Sequence, residues 1–324
     1  MNTNTAEIVT TRHNHLIDPH LHIWGWEIPA YLFLGGMVAG ILILTALTAL
    51  RSGRNPGSRP LRLMPMVALG LLSLGMAALF LDLEYKLHVF RFYLAFLPSS
   101  PMSWGSWILV LVYPAAFLMG LTLLEPAERT AVRMWKPWRM LGMTGWVDRL
   151  FAFADSRRRG ILIASLVAGA CLGIYTGLLL GVLGARPLWN STLLGPLFLV
   201  SGISTGAAFM LLFRPRDHEH RDLVRWDMAA IGAELLLLGL LLINLATGPQ
   251  TSQAAAQLFL GGSWTGAFWA LVVIAGLLVP LVMEVLEQRK HLNPTAISAA
   301  LVLVGGISLR FILLMAGQES LGVF

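Results

Sequence analysis

Charge is scarce in this chain. Only 12% of its 324 residues are Asp, Glu, Lys or Arg, about half the share of an ordinary globular domain. That shortage excludes a water-facing surface over most of the chain, and a hydrophobic content of 56% points to lipid instead. Cysteine is scarcer still. The single cysteine, Cys171, can form no intrachain disulfide and cannot hold an iron–sulfur cluster, which takes several thiolates. It lies within an apolar run and is expected to act as a small packing residue. Histidine is missing from every long apolar run. His13, His15, His20, His22, His88, His218, His220 and His291 all fall between or before the runs. Haem held by histidines inside a helical bundle is therefore not expected. Walker loops, dinucleotide fingerprints and HExxH are absent too, which removes ATPase and zinc-protease readings.

What the chain does have is eight apolar stretches long enough to cross a bilayer, which takes about 20 residues per helix. They run over Ile28–Leu50, Leu63–Leu81, Trp104–Leu124, Gly160–Ala185, Leu193–Phe213, Met228–Gly248, Trp264–Met283 and Ala296–Gly317. The expected fold is an all-α integral membrane protein. Met1–Ile23 is polar and lacks the apolar core of a secretory signal. A pI near 10.0 would suggest nucleic acid in a soluble chain, but here the basic residues mark topology. Alternate connections hold 18 Lys and Arg on one side and 4 on the other. By the positive-inside rule the richer side faces the cytoplasm, which puts both termini outside.

The connections carry their own signals. Four histidines in the tail, His13 to His22, have no carboxylate or cysteine spacing that defines a metal site. The long basic connection from Pro126 to Arg159 mixes Trp135, Trp138, Met140, Leu141, Trp146, Leu150, Phe151 and Phe153 with its charges. That mixture suits an amphipathic segment in the inner headgroup layer. A weak parallel repeat divides the spans four and four. Gly36 and Gly40 in the first span match Gly202 and Gly206 in the fifth, and Ser103–Trp107 matches Ser263–Trp269. The expected units are a tail (1–27), a first four-helix bundle (28–185) and a second (186–324). In the fourth span Gly169, Gly173, Gly177 and Gly181 make a small-residue stripe for close helix packing.

Polar residues inside a bilayer are expensive and are functional candidates by default. The stretch W-G-W-E-I-P-A-Y-L-F-L-G-G-M-V-A-G (Trp24–Gly40) opens with tryptophans suited to an interface. Glu27 and Tyr31 follow four residues apart, near one face of a helix. Asp82 and Glu84 close the second span, and Ser103 and Trp104 open the third. Tyr175 lies ~22 Å from the cytoplasmic start of the fourth. Four helices thus bring acids, tyrosines and aromatic walls to one outer layer. That suits a ligand half polar and half apolar, such as a quinone, with Tyr31 and Tyr175 donating and Glu27 or Asp82 shuttling protons. In the second half Glu234 lies ~13 Å and Arg310 ~21 Å from the cytoplasmic ends of their spans, a difference that argues against direct contact unless long side chains or water bridge it. They are candidates for a proton path or a structural pair.

Trp24–Gly40, D-L-E-Y-K-L-H-V-F-R-F after the second span and S-P-M-S-W-G-S-W-I-L at the third together resemble the NrfD/PsrC family. Its members are membrane subunits of polysulfide-reductase-type respiratory complexes, and the resemblance covers nearly the whole chain. It implies two four-helix bundles, no haem, and a quinone pocket, for menaquinone or ubiquinone, in the first bundle near the outer face. It also implies a ferredoxin-like iron–sulfur subunit docked at the periplasmic face of a bacterial inner membrane. In many members the resemblance extends to a molybdopterin enzyme or a multihaem cytochrome beyond that subunit. Some members have His and Asn at the first-helix site, where this chain has Tyr31 and Ile28. Tyr175 matches a family pocket tyrosine by depth. A proton-coupled secondary transporter would instead place polar groups at the midplane. A passive anchor would leave the convergence of acids and tyrosines without a use.

Overall fold

A computed structural model describes residues 24–53, 57–94, 97, 100–135, 144–181, 186–289 and 296–320. The regular elements among them are helical, and eight are long and apolar enough to cross a membrane. They are α1 (Glu27–Arg51), α2 (Arg59–Asp82), α3 (Pro101–Leu123), α4 (Arg158–Gly181), α5 (Leu194–Leu211), α6 (Asp217–Thr247), α7 (Thr265–Gln288) and α8 (Ala296–Glu319). The histidine-bearing tail lies outside the described residues, as do Trp138, Met140, Leu141 and His291.

Two helices start well before their apolar runs. Helix α2 begins at Arg59 rather than Leu63, and α6 at Asp217 rather than Met228. Polar first turns explain the extension, because their charges find partners. Arg62, only 5% exposed, pairs with Glu125 at 2.7 Å and Glu128 at 3.0 Å. Partial burial alone would raise the Glu128 carboxyl, but hydrogen bonds from Arg62 and from the Glu125 N–H hold it below its ordinary value. At the start of α6, Glu219 accepts from the N–H of Arg216 at 3.1 Å and of Ser58 at 2.7 Å. One consequence corrects the sequence reading: His218 and His220 lie in the first turn of a spanning helix, not between spans.

Helix α1 sits in the middle and packs most extensively on α5, α2 and α4, with α8 also against it. The two glycine pairs taken from the sequence as a repeat meet each other. A methyl on Gly40 would lie 2.0 Å from the carbonyl oxygen of Gly202, and one on Gly206 would lie 2.7 Å from the Gly40 carbonyl carbon. Only hydrogen at these positions lets the two backbones touch. The α4 stripe is a packing seam as expected, with Gly169 against Ala39 of α1 and Gly177 against Leu194 at the start of α5. Cys171, on the same helix, is exposed and not packed inward. Gly276 and Gly305 bring α7 and α8 into similar contact.

One end of the molecule is tied shut around Trp24. Its N–H donates to Gln318 Oε1 and its carbonyl accepts from Gln318 Nε2, both at 3.1 Å. Its ring lies 5.3 Å from that of Trp189, whose indole N–H donates to the Leu313 carbonyl. At the other end, short helices Pro126–Arg133 and Thr144–Ser156 leave Trp135, Trp146 and Phe153 exposed, while Phe151 is buried under Arg129.

Candidate functional site

The Trp24 end of α1, the ends of α2 and α4 and the start of α3 enclose a cavity of about 130 Å³. Tyr31, one turn into α1, is 2% exposed and reaches it with Ile28 beside it. Tyr175 reaches it from α4 and is also buried. Space for its phenol comes from Gly105 of α3, where an added methyl would lie 2.0 Å from Tyr175 Cζ and Oη. Asp82, the last residue of α2, stands at the exposed rim. Met76, Leu79, Leu109 and Leu179 make the walls apolar. A buried apolar chamber with a few convergent polar groups is the usual form of a small-molecule site.

The sequence missed Tyr93, which lines the cavity from the short helix Arg91–Leu94. Partial burial and then the Tyr113 phenol raise its pKa, so it stays a neutral donor. Its signal was the F-R-F motif, whose next residue it is. Ser106 and Met102 were missed for a rotational reason. Met102, Gly105, Ser106 and Leu109 form the α3 face on the cavity, at the three- and four-residue spacing of one helix face. Ser103 and Trp104 share that depth but point elsewhere. Ser103 is buried and accepts from the Leu97 N–H at 3.0 Å, while Trp104 is 42% exposed. Glu27 turns its carboxylate back over Gly25, and Glu84 is exposed in the connection after α2. Neither lines the cavity.

Glu234 and Arg310 are brought together after all. Both are buried, and the Ser201 hydroxyl stands between them. Arg310 Nη1 donates to Ser201 Oγ at 2.5 Å and to the Gly306 carbonyl at 3.0 Å, and its guanidinium lies 5.2 Å from the Phe198 ring. The ~13 Å expected for Glu234 corresponds to a helix beginning near Arg225, whereas α6 begins at Asp217. Counted from Asp217, Glu234 lies ~25 Å along its helix, close to the ~21 Å of Arg310.

Eight helices among the described residues are long and apolar enough to cross a membrane, and α1 to α4 enclose a cavity at one end, the arrangement of a polytopic α-helical membrane protein. Residues 13–322 match the family model described as Polysulphide reductase, NrfD, and the chain belongs to that family. It is 31% identical to Protein NrfD of Escherichia coli over 91% of its own length and 95% of the relative. It is 29% identical to the C subunit of polysulfide reductase from Wolinella succinogenes, over 93% and 96%. A third relative, Protein NrfD homolog of Haemophilus influenzae, is 26% identical over 91% and 94%. Membership places the protein among multi-pass membrane subunits of redox complexes.

Proposed function

We propose that this protein is the quinone-reactive membrane subunit of a respiratory complex in a bacterial inner membrane, with its cavity near the periplasmic face. The observation that carries this reading is the gathering of Tyr31, Tyr93, Tyr175 and Asp82 around one apolar chamber. A quinone supplies two-electron, two-proton chemistry when bound. Tyr31 and Tyr175 hold donors at the depth of the chamber, and Tyr93 holds a third near its rim. Asp82, exposed beside them, exchanges protons with solvent. Ile28, Leu79, Leu109 and Leu179 accept an apolar ring and tail and keep water away from the buried phenols. Ile28 and Tyr31, the two first-helix positions singled out by the family resemblance, both face this chamber.

The wider arrangement belongs to the same reading. The eight spans form two four-helix bundles, over residues 28–185 and 186–324, with both termini outside. A ferredoxin-like iron–sulfur subunit docks over the cavity and exchanges electrons with it. A molybdopterin enzyme or multihaem cytochrome completes the complex. The exposed Tyr85, Leu87, Phe90 and Leu94 after α2 suit such a docking face.

Purified complexes carrying Tyr31→Phe or Asp82→Asn test the site. Each is expected to assemble normally and to oxidise or reduce quinone about tenfold more slowly, the cost of one lost hydrogen bond or proton exchanger. Wild-type turnover in both would place the reaction elsewhere.

A further inference from the structure

Helix α6 carries His220, Asp227 and Glu234 seven residues apart. Seven residues are close to two helical turns, so the three lie along one face. Each meets a polar partner on another helix. His220 Nε2 is 2.6 Å from Glu287 Oε1 on α7, at the end of the molecule that carries the basic connections. Two turns deeper, Asp227 is wholly buried and accepts from Ser204 of α5 at 2.6 Å. Beside it Glu284 of α7, 1% exposed, accepts from Ser298 of α8 at 3.0 Å. The other two oxygens, Asp227 Oδ2 and Glu284 Oε2, are buried with no hydrogen-bond partner, and the two carboxyl groups are close enough to interact directly. Two turns deeper again comes Glu234, with Ser201 and Arg310.

Two carboxylate oxygens in buried contact repel unless a proton lies between them. One shared proton turns the repulsion into a hydrogen bond and satisfies both orphaned oxygens. The pair then keeps a single negative charge and room for one more proton. A purely structural role explains this poorly, since two buried acids brace helices less well than apolar residues of similar size. The column also leads somewhere. A methyl on Gly36 of α1 would lie 3.0 Å from Arg310 Nη2, and Gly36 is only five residues below Tyr31, ~7.5 Å along the helix.

We propose that the Asp227–Glu284 pair is a proton-loading site on a relay that runs from His220 and Glu287 to Glu234 and on toward the cavity. The relay rests on the quinone reading, which gives the protons a destination. A proton from solvent reaches the His220–Glu287 pair and moves to the carboxylate of the acid pair. The pair, now doubly protonated, passes one proton through bridging water molecules over the ~10.5 Å to the Glu234 carboxylate and returns to its one-proton state. Only O–H and N–H bonds form and break, and no electron moves along the column. Arg310 offsets the charge of Glu234 whenever that residue is empty.

The test uses the whole complex, first by infrared spectroscopy and then in sealed vesicles. The wild type is expected to show a buried carboxylic acid band that shifts in deuterium oxide and is altered in both Asp227→Asn and Glu284→Gln. In vesicles both variants are expected to bind quinone normally, while proton uptake per electron from the His220 side falls at least about twofold. Absence of the band in the wild type overturns the shared proton. An unchanged uptake ratio in folded, quinone-binding variants overturns the relay. Should the wild type turn over no quinone, the functional reading fails by itself, and the infrared band alone decides the acid pair.

Discussion

Replacing Gly105 by alanine is expected to reduce quinone turnover about tenfold to a hundredfold without touching any residue that contacts solvent chemistry. The new methyl would lie 2.0 Å from Cζ and Oη of Tyr175 and 2.5 Å from Cε1. No rotation of the methyl relieves that overlap, so the phenol must leave its place in the cavity or α3 must retreat from α4. Overpacking of this kind costs about 1–3 kcal/mol, and a donor moved by an ångström loses its hydrogen bond. A double variant, Gly105→Ala with Tyr175→Phe, separates displacement from loss of the hydroxyl. If Gly105→Ala retains wild-type turnover and quinone affinity, Tyr175 is not a donor in the site.

The largest expected effect on assembly comes from Gly40→Ala. Here the neighbours are backbone atoms: Gly202 O at 2.0 Å, Gly202 C at 2.7 Å and Ile203 Cα at 2.9 Å. Backbone cannot step aside as flexible side chains do, so α1 and α5 must part along the seam between them. We expect membrane levels of the variant to fall below about a tenth of wild type, consistent with an overpacking cost at or above the top of ~1–3 kcal/mol. Gly70→Ala on α2, with open space around it, serves as the control and is expected to accumulate normally. Equal levels of both variants would mean that the seam tolerates separation.

The reasons why some of this was legible in sequence, and some not, are specific. Hydropathy marks where lipid lies, so all eight spans could be found, but it is silent about helix that continues into water. That silence put Asp227 outside the sixth span and placed Glu234 too shallow to meet Arg310. Depth along a helix, at a rise of ~1.5 Å per residue, brought Tyr31, Asp82 and Tyr175 to one layer, and the structure brings these three to one cavity. Depth gives no rotation, however. Ser103 and Trp104 share the layer and turn away, while their neighbours Met102 and Ser106 turn in. Tyr93 lies in a connection where neither periodicity nor hydropathy has anything to act on. The glycine pairs were visible as a repeat, but that Gly36 and Gly40 meet Gly202 and Gly206 depends on the tertiary packing of α1. Matching small residues on two helices are compatible with contact and do not require it.

Quinone chemistry in the cavity of α1 to α4 is open to a direct chemical test. Photolabelling provides it. Membranes containing the intact complex would be illuminated with a photoreactive quinone analogue, and the labelled peptides mapped by mass spectrometry with excess native quinone as competitor. Competed label is expected on segments carrying Tyr31, Tyr93 or Tyr175, and its loss is expected in Gly105→Ala. Competed label confined to α5 through α8, and undiminished in that variant, would contradict quinone chemistry in this cavity.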